Sequence, residues 1–175
     1  MKSTDLEAST PPSRRPIRVA LIGCGKMGLQ HLRAIGAVPG ARVVGVADPA
    51  ADEEALRDLL PADALVLGDA RTLIERARPD VVHVVTPPAT HTAAALLAID
   101  AGCHVYVEKP FAATRAEAEQ VIRRAEERGV QVCAGHQCLF ERPALEDFRR
   151  LAEGGRLAHV ESYSSLRMVR RNITP

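Results

Sequence analysis

Aromatic residues are scarce in this sequence, and charge of either sign is not in excess. Aromatic side chains make up 3% of the 175 residues, tryptophan does not occur, and the net charge is +1. Proteins that bind single-stranded nucleic acid use aromatic platforms in basic grooves. The composition therefore argues against nucleic acid as a partner, and it gives no reason to expect an anionic membrane surface.

Paired cysteines and long apolar runs are also missing. The four cysteines (Cys24, Cys103, Cys133 and Cys138) form no C-x-x-C pair. This pattern predicts reduced, mostly buried thiols in a cytoplasmic protein. His136 lies close to Cys138, but no second ligand cluster accompanies them, so we expect no metal site. No apolar run approaches the length that spans a bilayer.

Five short apolar runs recur along the chain and predict the strands of a parallel sheet. They are continuous rather than alternating, which is typical of strands that are covered on both faces. Helical stretches separate them, and this alternation predicts a doubly wound α/β fold, a parallel Rossmann sheet with right-handed crossovers. The runs are IRVALIG (17–23), RVVGVAD (42–48), DVVHVVT (80–86), HVYVE (104–108) and VQVCAG (130–135), with a weaker sixth candidate, ALVLG (64–68).

Punctuation residues mark two of the predicted helices. Thr114 and Glu117 form a capping-box pattern, which opens a helix that ends near Gly129. Pro61 ends a helix predicted over residues 51–60. Each of these helices lies between two apolar runs, as the crossovers of a parallel sheet require.

The same patterns divide the chain into three parts. Residues 1–15 are polar and contain two prolines, which predicts a disordered tail. Residues 16–136 hold the strand–helix alternation and form the predicted Rossmann domain. In residues 137–175, a helix near 143–153 and an alternating segment at 157–169 predict the start of a second domain that is incomplete in this chain.

A glycine-rich loop joins the first predicted strand to a helix over about 26–37. In GCGKMG, Gly23, Gly25 and Gly28 have the G-x-G-x-x-G spacing. Gly23 allows a tight turn, Gly25 lets the backbone approach a pyrophosphate, and Gly28 lets helix and strand pack closely. The N–H groups at the start of the helix would hold the diphosphate. The other residues of this predicted cofactor-binding loop are Cys24, Lys26 and Met27.

An acidic residue completes the dinucleotide-binding pattern. Asp48 ends the second predicted strand and lies 20 residues beyond Gly28, the offset of the acid that binds the ribose hydroxyls. Its charge would repel a 2′-phosphate and no arginine stands beside it, so NAD is favoured over NADP. Two alternatives stay open: Asp48 as a simple helix cap before Pro49, and Lys26 as an exposed lysine rather than a phosphate ligand.

The segment TPPATH (86–91) follows the third strong strand, where open α/β sheets bind their ligands. Thr86 and Pro87 are expected to form the pocket wall beside the nicotinamide ribose. His91 lies in the first turn of the next helix, and it is either a cofactor-site residue or a surface histidine. His83 and His104, inside predicted strands, are interpreted as packed core or edge residues rather than catalysts.

Lys109 is the most specific chemical candidate. The chain contains 20 arginines and only three lysines, Lys2, Lys26 and Lys109. Unlike arginine, a buried lysine can lose its proton, and it presents a compact charge. A partly buried Lys109 could hydrogen-bond a substrate hydroxyl, stabilise the developing alkoxide or relay its proton. The alternative, an exposed Glu108–Lys109 pair before a helix, would be served equally well by arginine.

Taken together, GCGKMG, Asp48, TPPATH, AGCHVYVEKPFA and AGHQ resemble the Gfo/Idh/MocA family of NAD(P)-dependent oxidoreductases, over residues 17 to about 170. The resemblance implies a Rossmann domain followed by an α/β domain with an open sheet. It implies hydride transfer between nicotinamide and a secondary alcohol of a sugar, polyol or nucleotide-sugar. It also implies that Lys109 lies next to the nicotinamide and that Glu108 belongs to the cofactor pocket.

The sequence departs from this family in one respect. Members usually carry a catalytic histidine in the second domain, often in a D-x-x-x-H stretch, and residues 137–175 contain no such stretch. Three interpretations stay open: a piece of a full oxidoreductase, a short chain that needs a partner, and a dinucleotide-binding regulator without turnover. An unfinished sheet edge at 157–169 would allow a homo-oligomer through the C-terminal sheet.

Overall fold

The computed structural model describes residues 15–136 and Arg150, and the structural statements below concern that part of the chain. The chain divides after His136 into two units, and the elements described here belong to the first. Within the described residues, no helix combines the length and the apolar character needed to cross a membrane.

A six-stranded parallel sheet forms the centre of the first unit, in the order β3-β2-β1-β4-β5-β6. The six strands predicted between residues 17 and 135 are confirmed, including the weak sixth candidate, and their ends move by at most two residues. The strand order reverses between β1 and β4, which makes this junction the expected ligand site. Strands β1 to β6 are Ile17–Ile22, Ala41–Ala47, Leu65–Leu67, Val81–Val84, His104–Glu108 and Val132–Gly135.

Between residues 15 and 136, five α-helices connect the strands. Helix α5 begins as predicted, since the Thr114 hydroxyl accepts the Glu117 N–H at 3.2 Å. The helix predicted over 51–60 is shorter than expected, because it tightens into a 3₁₀ turn at Arg57–Leu59 ahead of Pro61. Helices α1 to α5 are Lys26–Gly36, Glu53–Leu56, Ala70–Ala77, His91–Asp100 and Arg115–Arg128.

The two faces of the sheet differ in character. On one face α3, α4 and α5 cover apolar strand residues such as Val82, Val84 and Val107, all of them fully buried. On the other face α1 and α2 cover β1 and β2 through residues such as Leu21 and Leu32. Strand alternation places the intervening residues of β4 and β5 on this second face. Several of them are polar, so β4 and β5 present polar side chains to this second face although the sheet is covered on both sides.

Several predictions fall on residues that the structure does not describe. The helix predicted near 143–153, Arg150 apart, and the strand predicted at 157–169 lie outside the described residues, as does the tail up to residue 14. Arg15, which the sequence placed in the tail, is described. Its guanidinium donates to both carboxylate oxygens of Asp80, at 2.9 and 2.7 Å.

Candidate cofactor site at the carboxyl end of the sheet

A cleft of about 830 Å³ lies where the carboxyl ends of β1, β2 and β4 meet. Its volume and its mainly apolar wall with a few polar groups are typical of a small-molecule or cofactor site. Five of the predicted cofactor-binding residues do not line it: Cys24, Gly28, His91, Glu108 and Lys109. The seven that do are Gly23, Gly25, Lys26, Met27, Asp48, Thr86 and Pro87.

The three glycines of the loop serve different purposes. Gly23 has φ 95°, and a Cβ there would lie 2.8 Å from the backbone of Val85. A Cβ at Gly28 would lie 2.5 Å from the carbonyl oxygen of Gly23, so its absence lets α1 pack closely. Gly25 has an ordinary φ of −63°, and nothing lies within 4 Å of a Cβ placed there. Gly25 lines the cleft and the space beside it is free of protein atoms. The diphosphate of a cofactor would therefore have room to approach the loop backbone there.

Asp48 holds the glycine-rich loop in place. Its Oδ2 accepts the N–H of Cys24 and its Oδ1 accepts the N–H of Ala50, each at 2.8 Å. The Cys24 N–H is the main cause that keeps the pKa of Asp48 below its ordinary value. Each oxygen retains a second lone pair for a ribose hydroxyl. The helix-cap alternative is wrong, because the N-cap of α2 is Asp52.

The described cysteines are free but not mostly buried, contrary to the sequence prediction. Cys103 is buried, Cys24 is half-buried and Cys133 is exposed. Burial, together with the charge of Asp48, raises the pKa of the Cys24 thiol to about 11. That thiol is therefore protonated at neutral pH and is a poor nucleophile. Within the described residues, no group of three or more His, Cys, Asp or Glu side chains is placed to hold a metal ion.

Thr86 presents a buried polar atom without a partner. Its Oγ1 is inaccessible to solvent and has no hydrogen-bond partner in the described part of the chain, although Thr86 lines the cleft. Buried hydroxyls are normally hydrogen-bonded. Thr86 lines the cleft, and a side-chain rotation would bring this unpaired hydroxyl within reach of a bound cofactor.

His91 differs from both sequence interpretations, because it neither lines the cleft nor lies on the surface. It is 1% exposed, and its Nδ1 and Nε2 each lie 2.8 Å from a carbonyl oxygen, of Pro110 and Thr86 respectively. A neutral imidazole can donate to only one of these oxygens. His91 therefore joins the TPPATH segment to the corner that follows β5.

Lys109 is exposed, so the expectation of partial burial is wrong for the described part of the chain. Its amine has no hydrogen-bond or ion-pair partner among the described residues. The reason lies in the backbone: β5 ends at Glu108, and Lys109 begins the turn that leaves the sheet. The Lys109–Pro110 peptide bond is cis.

A cluster that the sequence analysis missed lies beside Glu108. Glu108 is 8% exposed and accepts the Lys109 N–H through Oε2 at 2.9 Å. Its Oε1 lies 3.3 Å from Nε2 of His31, a residue of α1. A signal existed, since His31 follows the buried Gly28 by three residues and precedes the buried Ile35 by four, which places it on the sheet-facing side of α1.

Residues 17–136 match a protein family described as an oxidoreductase family with an NAD-binding Rossmann fold, GFO_IDH_MocA. That span covers well over half of the chain. The chain belongs to this family. The Rossmann fold and the resemblance inferred from the motifs are thereby confirmed.

Relatives with named activities match the same region. Inositol 2-dehydrogenase 1 of Saccharopolyspora erythraea is 37% identical over 144 residues, which are 79% of this chain and 42% of that protein. Scyllo-inositol 2-dehydrogenase (NAD(+)) of Bacillus subtilis is 30% identical over 148 residues, 81% of this chain and 41% of that protein. The structure of UDP-N-acetylglucosamine 3-dehydrogenase from Acidithiobacillus ferrooxidans is 31% identical with a TM-score of 0.67, covering 79% of this chain and 42% of that one. The chain thus spans about two-fifths of the length of these relatives.

Proposed function

We propose that this chain binds NAD in the cleft and belongs to an enzyme that oxidises a secondary alcohol of a sugar, polyol or nucleotide-sugar. The main observation behind the proposal is the open space beside Gly25. Neither the φ angle nor protein packing requires glycine at this position, so the missing side chain is explained by the room it leaves for a ligand. The relatives named as inositol and UDP-N-acetylglucosamine dehydrogenases support the substrate class.

Each part of the cofactor has a chemically matched partner in the cleft. The N–H groups at the start of α1 would hold the diphosphate. The free lone pairs of Asp48 would accept the ribose hydroxyls. The apolar wall, which includes Ala94 and Leu97, would contact the adenine, and Thr86 and Pro87 would lie beside the nicotinamide ribose.

The charge distribution favours NAD over NADP. Asp48 carries a negative charge at neutral pH, and the pKa of its carboxyl is lower than usual. Lys26 is the only cationic side chain among the described residues that line the cleft. A 2′-phosphate would therefore meet a carboxylate at the ribose position without an arginine to neutralise it.

Lys109 is the proposed catalytic residue of this chain. NAD held in the cleft would supply the hydride acceptor for the alcohol carbon, or the hydride donor in the reverse direction. Lys109 would hydrogen-bond the hydroxyl oxygen and hold or pass on its proton as the carbonyl forms. Its exposure leaves the amine accessible to a substrate at the carboxyl end of β5.

The same exposure favours a second candidate, a regulator that binds the dinucleotide without turnover. Lys109 has no side-chain partner among the described residues, so nothing described holds its amine in one reactive position. In this reading Gly25 and Asp48 keep their roles, and Lys109 has none.

A turnover assay with a lysine variant separates the candidates. Purified protein is incubated with NAD and a panel of inositols, sugars and UDP-sugars while NADH formation is followed. We expect Lys109→Arg to abolish turnover and to leave NAD affinity unchanged, because a planar guanidinium does not replace the compact, freely rotating amine donor of lysine at the hydroxyl oxygen. NAD binding without turnover on any alcohol would favour the regulator, and no NAD binding would exclude both.

A further inference from the structure

A row of polar side chains leads from helix α1 to the corner that carries Lys109. We call this row the His–Glu cluster, and it consists of His31, His83, Tyr106 and Glu108. The two histidines meet through their Nδ1 atoms at 3.0 Å, and His31 reaches Glu108 through Nε2 at 3.3 Å. The ring of His83 stacks on that of Tyr106, with centroids 4.8 Å apart.

The contact with Glu108 fixes one proton of His31. A carboxylate only accepts hydrogen bonds, so the contact with Glu108 requires a proton on Nε2 of His31. Between the two Nδ1 atoms, one must donate and the other must accept. Burial, followed by the proximity of His31, lowers the pKa of His83 to about 4, so His83 is neutral at pH 7.

The cluster is largely shielded from water, which increases the contribution of each contact to the free energy of unfolding. The side chains of His31 and Glu108 are 13% and 10% exposed. Removing one member of a buried, hydrogen-bonded pair leaves the other without compensation, and this is strongly destabilising. The Glu108 carboxylate has one partner for each oxygen, His31 for Oε1 and the Lys109 N–H for Oε2.

We propose that His31 is a positioning residue for Lys109: it fixes the carboxylate of Glu108, and that carboxylate holds the backbone N–H of Lys109. The importance of Lys109 rests on the proposed function, whereas the hydrogen-bonded chain does not. Helix α1 begins at Lys26, in the loop proposed to hold the diphosphate, and carries His31 little more than one turn later. One helix therefore holds both the cofactor loop and the corner of the proposed catalytic lysine.

The unmodified protein provides the first test, by NMR of ¹⁵N-labelled chain without dinucleotide. The proposal requires a protonated Nε2 on His31 at pH 7 and a Lys109 amide that is protected from hydrogen exchange. A His31 ring without a proton on Nε2, or a Lys109 amide that exchanges at the rate of an unstructured peptide, would overturn it.

Two variants of His31 then separate positioning from general stability. His31→Leu removes the donor, and we expect the protection of the Lys109 amide to fall about tenfold or more. His31→Gln keeps an N–H donor, and it should restore most of that protection. The amide of Val82, in the buried centre of β4, reports global unfolding, and His104→Gln is the matched control, since His104 lies on β5 and is exposed.

The proposal is supported if His31→Leu loses amide protection at Lys109 but not at Val82. His31→Gln should then recover the protection at Lys109, and His104→Gln should leave it unchanged. If His31→Leu loses equal amide protection at Lys109 and Val82, or if the protection of the Lys109 amide does not change, the proposal is overturned. NAD affinity is measured separately on the same samples, so a failure of the proposed function would leave the Lys109 result standing.

Discussion

The carboxylate of Asp48 accepts the backbone N–H of Cys24 at 2.8 Å, so the acid at the end of β2 anchors the glycine-rich loop that follows β1. The residue proposed to bind the ribose hydroxyls thus also shapes the loop proposed to bind the diphosphate. The two parts of the cofactor site are consequently coupled through one side chain.

This coupling predicts a double effect for Asp48→Ala. The free energy of unfolding should fall by about 1–3 kcal/mol, because two backbone N–H groups lose their acceptor. NAD affinity should fall about tenfold or more, because the ribose also loses its acceptor. Urea unfolding and calorimetric NAD titration measure the two effects.

Asp52→Ala is the matched control, since Asp52 also accepts two backbone N–H groups and lies outside the cleft. If Asp48→Ala loses stability and binds NAD as the parent does, Asp48 has only a structural role.

Gly25→Ala should separate binding from folding. The methyl group meets no protein atom within 4 Å and the backbone φ of −63° suits alanine. The free energy of unfolding should therefore stay the same or rise slightly. NAD binding should be lost, because the methyl group occupies the space of the diphosphate. Gly36→Ala in α1 also has open space and serves as the control that keeps NAD binding. Equal NAD affinity in both variants would contradict the assignment of the cleft.

His83 should make stability depend on pH in a defined window. Its pKa is about 4 in the folded chain, below the ordinary 6.5, because it is buried and close to His31. Between these two values the unfolded chain binds more protons. The free energy of unfolding should therefore fall as pH falls from 6.5 to 4, by up to about 1.4 kcal/mol per pH unit. Above pH 6.5 this contribution to the pH dependence disappears.

Urea unfolding across that window, compared with His83→Phe, isolates the effect. Phenylalanine keeps a ring against Tyr106 and cannot titrate. The carboxylates with lowered pKa values, such as Asp48 and Asp80, act mainly near and below their ordinary 3.8. An identical slope in parent and variant between pH 6.5 and 4 would rule out His83 as its source.

His91→Leu should be strongly destabilising. The substitution leaves the carbonyl oxygens of Thr86 and Pro110 without the ring that lies between them. We expect a loss of about 2–4 kcal/mol in the free energy of unfolding, since a buried polar contact and its packing are removed together. His104→Leu removes only an exposed contact, in which Nδ1 of His104 accepts the Gln131 N–H at 2.9 Å, and it should cost less than about 1 kcal/mol. Similar losses in the two variants would mean that the buried contacts of His91 contribute little.

The fold was predictable because its signals are local. Continuous apolar runs and helix punctuation predicted the six parallel strands, and the glycine spacing followed by Asp48 predicted the position of the cleft. The His–Glu cluster was not predicted, because it joins residues 77 positions apart, His31 and Glu108, across α1 and β5. Periodicity places such residues on a face, but it does not say which partner they meet.

The exposure of Lys109 and the burial of His91 were missed for a related reason. Both lie at the ends of elements, where burial depends on which other segments fold over them rather than on the residue pattern. The carbonyl groups that enclose His91 come from the segments after β4 and β5. No motif in the sequence indicates that these two segments contact His91.

The proposed NAD site is the cleft between the glycine-rich loop, Asp48 and Thr86. The most direct test is a two-dimensional NMR titration of the ¹⁵N-labelled chain with NAD. Saturable shifts of the Gly25, Asp48 and Thr86 amides, with the Gly129 amide unmoved and a weaker response to NADP, are the predicted result. Unchanged amides at the first three positions, or shifts confined to other parts of the described chain, would contradict it.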